Sequence, residues 1–118
     1  MDPLVLIVDD NEKNLRLARD VLQVAGFRTL EAETGAHAIA LAAEHLPDVI
    51  LMDLRLPDMD GADAARSLAG DEGTAHIPVI ALSALRLEGE LAPAFAGYIE
   101  KPIAIDAFPD DVRRYLGC

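Results

Sequence analysis

The chain has few cysteine, aromatic and basic residues, and each shortage argues against a class of protein. Among its 118 residues there is one cysteine and no tryptophan. Because that cysteine, Cys118, is the last residue, the sequence excludes a disulfide framework and predicts a reducing, cytoplasmic location. Aromatic residues make up only 4% of the chain, so we expect a core of aliphatic side chains.

Basic residues are also scarce, with 10 Lys and Arg against 21 Asp and Glu and a formal net charge of −11. This charge repels nucleic acid and anionic membrane surfaces, so we expect neither as a partner. No apolar run approaches the roughly 18 residues that a membrane span needs, and the N-terminus lacks the basic region of a secretory signal. The 52% apolar content predicts one folded domain over residues 1–118, without an attached output domain.

Short apolar runs alternate with segments that have helical spacing. Strands are predicted at residues 4–8, 28–32, 48–53, 77–83 and 97–100. The helical segments are a first helix ending near Gly26, a second capped by Thr34 and stopped by Pro47, a third near 61–69 and a last one with Phe108 and Val112 on its buried side. Strands that alternate with helices predict a parallel sheet covered by helices on both faces.

Polar residues stand where the predicted buried strands end. Asp9 and Asp10 follow the first strand, and Asp53 ends the third. Ser83 ends the fourth strand, and Lys101 follows the fifth. Since ligands of open α/β sheets bind at the carboxyl ends of the strands, we expect these five side chains to face one pocket.

This set of side chains suits phosphoryl transfer. Three clustered carboxylates need a cation, and oxygen ligands with spare water positions favour Mg²⁺. A carboxylate can also attack phosphorus to form an acyl phosphate, with Mg²⁺ on Asp10 and Asp53 and with Lys101 and Ser83 on the phosphoryl oxygens. A plainer interpretation stays open at this point, in which the acids only cap the first helix, with Asp10 as a possible N-cap.

Four motifs carry a resemblance to a known family. They are "LIVDDNEKN" (6–14), "ILMDLRLPDMDG" (50–61), "VIALSA" (79–84) and "GYIEKPI" (97–103). Over nearly its whole length the chain resembles the receiver domains of two-component response regulators, and its N-terminal two-thirds resemble stand-alone receivers of the DivK type. The resemblance implies a CheY-like, flavodoxin-type α/β fold, in which a five-stranded parallel sheet of order 2-1-3-4-5 has helices on both faces.

The resemblance also implies roles for individual residues. Asp53 would be the phosphoacceptor, and Asp10 and Asp53 would bind Mg²⁺ directly, with Asp9 acting through water and Arg55 through its backbone carbonyl. A histidine kinase or histidine phosphotransfer protein would donate the phosphoryl group. A downstream protein, which the sequence does not name, would read the switched state.

Further implied roles fall in the last third of the chain. Ser83 and Tyr98 match the paired switch positions, Lys101 matches the phosphate-contacting lysine, and its bond to Pro102 is expected to be cis. Ser83 and Lys101 are 18 residues apart, which is about one helical turn less than the family usually has. We therefore expect residues 85–96 to form a short or irregular helix.

Two other functions are compatible with parts of this pattern. The first is a degenerate receiver that acts as an interaction module without phosphorylation. The second is an aspartyl-phosphate phosphohydrolase, which needs a second acid two residues after the nucleophile, where this chain has Arg55. Arg55 and Leu85 are bulky residues that we expect to flank the site and to hinder attacking water. The three histidines are isolated, and no metal or catalytic role is expected for them: His37, His45 and His76.

Overall fold

The computed structural model describes residues 2–83, 94–101 and 103–116, with only the backbone of Ser83. The strands are β1 (Leu4–Val8), β2 (Arg28–Ala32), β3 (Val49–Asp53), β4 (Val79–Ser83) and β5 (Gly97–Glu100). The helices of the described residues are α1 (Glu12–Val24), α2 (Gly35–His45), α3 (Gly61–Ala69) and α4 (Phe108–Arg114). All neighbouring strands are parallel, in the order β2-β1-β3-β4-β5. The predicted fold class and strand order are therefore confirmed.

The central strands are buried on both faces, which explains their continuous apolar runs. Alternate residues of a strand point to opposite faces of the sheet. Leu6, Ile50 and Met52 thus pack on the side of α2 and α3. Ile7 and Leu51 pack on the opposite side, against residues of α1 and α4. The aliphatic core expected from the composition is present on both faces.

Local capping signals set most helix ends as predicted. Gly26 has a φ of 97°, which glycine adopts without strain, and it lies just beyond the C-cap of α1. The side chain of Thr34 accepts a hydrogen bond from the backbone N–H of His37, so it is the N-cap of α2. The possible role of Asp10 as the cap of α1 is wrong. Asn11 is the N-cap, because its side chain accepts from the N–H groups of Lys13 and Asn14.

The register of the sheet determines where the polar strand ends meet. Val8 of β1 pairs with Met52 of β3, so Asp9 and Asp53 follow directly at neighbouring positions on the same edge. At the end of β4, Ser83 pairs with Glu100 of β5, and Lys101 comes next. The sheet therefore brings four strand ends to one edge, which we call the carboxyl edge.

Part of the predicted structure lies outside the described residues. This applies to the expected short or irregular helix, except for its last residues, and to Leu85 and Pro102. No helix among the residues that the model describes is long and apolar enough to cross a membrane.

Candidate phosphoryl and metal site at the carboxyl edge

Three carboxylates converge at the carboxyl edge. Asp9, Asp10 and Asp53 each place one oxygen so that all three oxygens lie within 4.8 Å of one another. Asp9 is buried, Asp53 is partly buried and Asp10 is exposed. An all-oxygen set with one solvent-facing member fits a hard cation that keeps some of its water, such as Mg²⁺. None of the three histidines belongs to this cluster.

Asp9 is held in place by hydrogen bonds. One of its oxygens accepts from the backbone N–H of Asn11 at 2.9 Å, and the other accepts from the side-chain amide of Asn14 at 3.2 Å. The ammonium of Lys101 donates to that second oxygen at 2.7 Å. Since only 2% of the Asp9 side chain is exposed, these donors replace the water that the carboxylate loses.

Lys101 joins the two strand ends. Its Nζ lies 2.7 Å from Oδ2 of Asp9 and 3.4 Å from Oδ2 of Asp53, and 16% of its side chain is exposed. The ammonium therefore balances part of the negative charge of the cluster. It also lies beside the Asp53 carboxylate, where a group bonded to that carboxylate would be within its reach.

The protein environment raises the pKa of Asp53 above its ordinary value. Partial burial is the main cause, because it removes water from the charged form, while the positive charge of Lys101 opposes the increase. The negative charge of Asp9 raises the pKa further, and a hydrogen bond from the backbone N–H of Arg55 lowers it. A bound cation would favour the ionised form and so restore the nucleophile.

The loop after Asp53 is closed on itself. The backbone N–H of Gly61 donates to the carbonyl of Leu54 at 2.8 Å, and that of Leu56 donates to the carbonyl of Met59 at 3.2 Å. A side chain at Gly61 would overlap the carbonyl oxygen of Asp53, so only glycine allows this close approach. Through this loop the backbone of Arg55 lies next to the Asp53 carboxylate.

The two predicted switch residues, Ser83 and Tyr98, belong to the neighbouring strands β4 and β5. Ser83 ends β4 at the carboxyl edge, although its side chain is outside the described part of the chain. The Tyr98 side chain belongs to β5, where the residue is 41% exposed.

Two residues, Asn14 and Asp58, make contacts at or near the site that were not predicted from the sequence. Asn14 belongs to the quoted motif at 6–14, and its position in the first turn of α1, above the end of β1, is a signal that could have identified it. Asp58 accepts hydrogen bonds from α2, through partners 22 and 23 residues away. No local pattern predicts contacts at that distance in sequence.

The fold and the acidic cluster at its carboxyl edge define a CheY-like protein of the open α/β class. The model of one family, the response regulator receiver domain, matches residues 5–113. The chain therefore belongs to the response regulator receiver domains of two-component systems, a class of signalling proteins rather than conventional enzymes. The resemblance predicted from the sequence is confirmed.

Similar proteins agree with this assignment. The polar-differentiation response regulator DivK of Brucella ovis is 40% identical over 121 residues, covering 99% of this chain and 98% of the relative. The receiver domain of sensor histidine kinase PA1611 from Pseudomonas aeruginosa PAO1, solved with a magnesium ion coordinated in its active site cleft, has a TM-score of 0.90 at 30% identity, with 100% of both chains covered. CheY4 of Vibrio cholerae, with a TM-score of 0.85 at 23% identity over 98% of this chain and 99% of that one, shares the fold. The chain is a DivK-like receiver domain.

Proposed function

We propose that residues 1–118 form one receiver domain that accepts a phosphoryl group on Asp53 and thereby changes its contacts with other proteins. The donor is a phosphohistidine of a histidine kinase or of a histidine phosphotransfer protein. The observation that carries this proposal is the convergence of Asp9, Asp10 and Asp53 within 4.8 Å, with Lys101 between two of them. A partly buried carboxylate beside an ammonium group and a cation site has what phosphoryl transfer requires.

Asp10 and Asp53 would bind Mg²⁺ directly, together with the backbone carbonyl of Arg55. Asp9 would act through water. The hydrogen bonds of Asp9 to Asn11, Asn14 and Lys101 support this division, since they already occupy both of its oxygens. When bound, Mg²⁺ supplies positive charge that offsets the charge of the phosphoryl oxygens.

In the transfer, one oxygen of the ionised Asp53 carboxylate attacks the phosphorus of the donor. A P–O bond forms and the P–N bond to the histidine breaks. The electron pair of the P–N bond returns to the imidazole nitrogen, and the ring leaves as neutral imidazole because the other ring nitrogen of the phosphohistidine carries a proton. Lys101, whose Nζ lies 3.4 Å from Asp53, contacts a phosphoryl oxygen and neutralises part of its charge. No further group is consumed.

The signal would come from rearrangement around the new phosphoryl group. The phosphoryl group carries about 1.5 to 2 negative charges and replaces the single charge of the ionised Asp53 carboxylate. Its oxygens attract Lys101 away from Asp9 and the Ser83 hydroxyl towards the site. The Tyr98 ring then turns inward behind Ser83. A shift from 1:99 to 99:1 between two states requires about 5.5 kcal/mol of difference in interaction energy, and these charged contacts are its source.

The test is phosphorylation by a small phosphodonor with Mg²⁺, read by phosphate-affinity gel electrophoresis. We expect wild type to give a shifted band and Asp53→Asn to give none, because an amide is neither a nucleophile nor an anionic ligand. The matched control is Asp60→Asn, which removes an exposed carboxylate seven residues away and should still shift.

A shifted band that survives in Asp53→Asn would reject Asp53 as the acceptor. A wild-type protein that neither shifts nor binds Mg²⁺ would instead favour the interaction module that works without phosphorylation. Phosphotransfer profiling against the histidine kinases of the same organism would then identify the donor.

A further inference from the structure

Asp58, in the loop between β3 and α3, accepts two hydrogen bonds from the N-terminus of α2. One carboxylate oxygen accepts from the backbone N–H of Gly35 at 2.8 Å, and the other accepts from that of Ala36 at 2.9 Å. These are N–H groups of the first turn of α2, which have no acceptor within their own helix. The carboxylate thus joins the loop to α2 with both of its oxygens.

The loop that holds Asp58 and the N-terminus of α2 are complementary to each other. The N-cap residue Thr34 accepts a hydrogen bond from the N–H of His37 only, so Asp58 accepts from the two backbone N–H groups of α2 that Thr34 does not bind. The hydrogen bonds from Ala36 and Gly35 lower the pKa of Asp58. The adjacent Met59 side chain lies over Gly35, where any added Cβ would overlap it. Loop and helix are therefore in contact through two consecutive residues.

A displacement at Asp58 would be transmitted to the site because the loop is closed. Leu56 and Met59, which flank Pro57 and Asp58, are hydrogen-bonded to each other, and Arg55 pairs with Asp60 across the loop. The backbone N–H of Arg55 in turn interacts with the Asp53 carboxylate, whose pKa it lowers. The position of the Arg55 peptide groups thus depends on where the loop is held.

We propose that Asp58 is a positioning residue of the phosphorylation site. By anchoring the loop to the N-terminus of α2, it keeps the Arg55 backbone against Asp53 and in place for the cation. Asp58 itself contacts neither the cation nor the phosphoryl group. The inference rests on the proposed function, because it gives the anchored loop its role in Mg²⁺ binding.

The experiment compares Asp58→Ala, Asp58→Asn and the control Asp60→Ala. Asp60 belongs to the same loop, is exposed and makes no side-chain hydrogen bond to the N-terminus of α3, so its loss removes equal charge without releasing an anchor. Mg²⁺ affinity is measured by NMR titration of the wild type and each variant. Amide hydrogen exchange at Gly35, Ala36 and Arg55 reports on the anchor without any cation.

We expect Asp58→Ala to raise the Kd for Mg²⁺ about threefold to tenfold. This is less than the loss of about tenfold or more that follows when a residue in direct contact with a metal ligand is removed, because Asp58 acts through the loop. Amide exchange at the three positions should accelerate about fivefold or more, as expected for a lost helix cap. Asp58→Asn keeps one acceptor oxygen and should fall between wild type and Asp58→Ala. Asp60→Ala should change the Kd less than about twofold, the size of a weakly coupled surface charge.

The results separate the anchor from the proposed function. If wild type binds Mg²⁺ and is phosphorylated but Asp58→Ala matches Asp60→Ala in both Kd and exchange, the positioning role is wrong and the proposed function stands. Faster exchange at Gly35 and Ala36 with unchanged exchange at Arg55 and unchanged Kd would also overturn it, leaving only a helix cap. If wild type does not bind Mg²⁺, the proposed function fails, and the positioning role fails with it.

Discussion

The acidic residues at the two edges of the sheet differ in what they contact and in how far their charge is balanced. At the opposite edge, which we call the amino edge, the exposed Asp48 accepts a hydrogen bond from the backbone N–H of Leu4 at 2.8 Å. That carboxylate ties two strand starts together. At the carboxyl edge, three carboxylates lie together, and the ammonium of Lys101 contacts two of them, Asp9 and Asp53. The amino edge uses an acid for structure, whereas the carboxyl edge keeps an excess of negative charge.

The difference follows from burial. Asp48 remains in water, where its charge costs little and its hydrogen bond adds modestly to stability. Asp9 is buried, and its negative charge helps to raise the pKa of the partly buried Asp53 beside it. A protein that retains such a cluster gives up stability for a site that attracts a cation.

Among substitutions that test the difference between the two edges, Lys101→Met should change the free energy of unfolding most. This change leaves the Asp9 carboxylate buried without its charged partner, although Asn11 and Asn14 still donate to it. We expect the free energy of unfolding to fall by about 2 to 3 kcal/mol, below the usual cost of breaking a fully buried pair. Urea denaturation without Mg²⁺ measures the change.

The control for that comparison is Asp48→Ala at the amino edge, which should cost about 0.5 to 1 kcal/mol for one exposed hydrogen bond. Addition of Mg²⁺ should recover part of the loss in Lys101→Met and none in Asp48→Ala. Equal losses in the two variants would mean that the ion pair of Asp9 contributes no more than an ordinary surface contact.

A smaller effect of opposite sign is expected from Asp53→Asn. The substitution removes one of the crowded negative charges, and at neutral pH without Mg²⁺ it should stabilise the fold by about 1 kcal/mol, the upper end of the net range for one solvent-screened charge interaction. Thermal unfolding with and without Mg²⁺ measures it, and Mg²⁺ should stabilise wild type more than the variant. Asp60→Asn, which removes an exposed acid, is the control and should shift the melting temperature little. Destabilisation by Asp53→Asn would contradict the charge excess assigned to this edge.

The smallest effect concerns pH and Asp58. Hydrogen bonds from α2 lower its pKa in the folded protein below the ordinary value of 3.8. The unfolded chain therefore takes up the proton first as the pH falls, and the stabilising contribution of Asp58 is present above pH 3.8 and is lost below it. The stability difference between wild type and Asp58→Asn should accordingly shrink between pH 5 and pH 3, read by chemical denaturation. A difference that grows over this range would contradict the lowered pKa.

Much of the fold could be predicted because its signals are local. The strands β1, β2 and β5 and the helix α3 have the predicted bounds, while β3 and β4 begin one and two residues later than expected. An apolar run determines only its own strand, and the cap residues Gly26 and Thr34 determine only the adjacent helix end. Such local signals can be recognised in the sequence. The N-cap of α1 was less certain, because Asp10 and Asn11 are both capable of capping and only the path of the chain selects Asn11.

The acids of the site were predictable for a related reason. A polar residue at the end of a buried strand is conspicuous, and parallel strands place all such ends on one edge. The contacts between these residues were not predictable. That Lys101 lies 2.7 Å from Asp9, and that Asn14 donates to the same carboxylate oxygen, depends on how α1 packs against the sheet.

By itself the sequence determined the alternation of strands and helices, the membership of the acidic cluster and the resemblance to receiver domains, because apolar periodicity and strand-end polarity are properties of neighbouring residues. Only the tertiary structure decided which charges are paired, that burial raises the pKa of Asp53, and that Asp58 caps a helix more than twenty residues earlier in the chain. Those features depend on distance and on loss of water, and both arise when segments remote in sequence pack together.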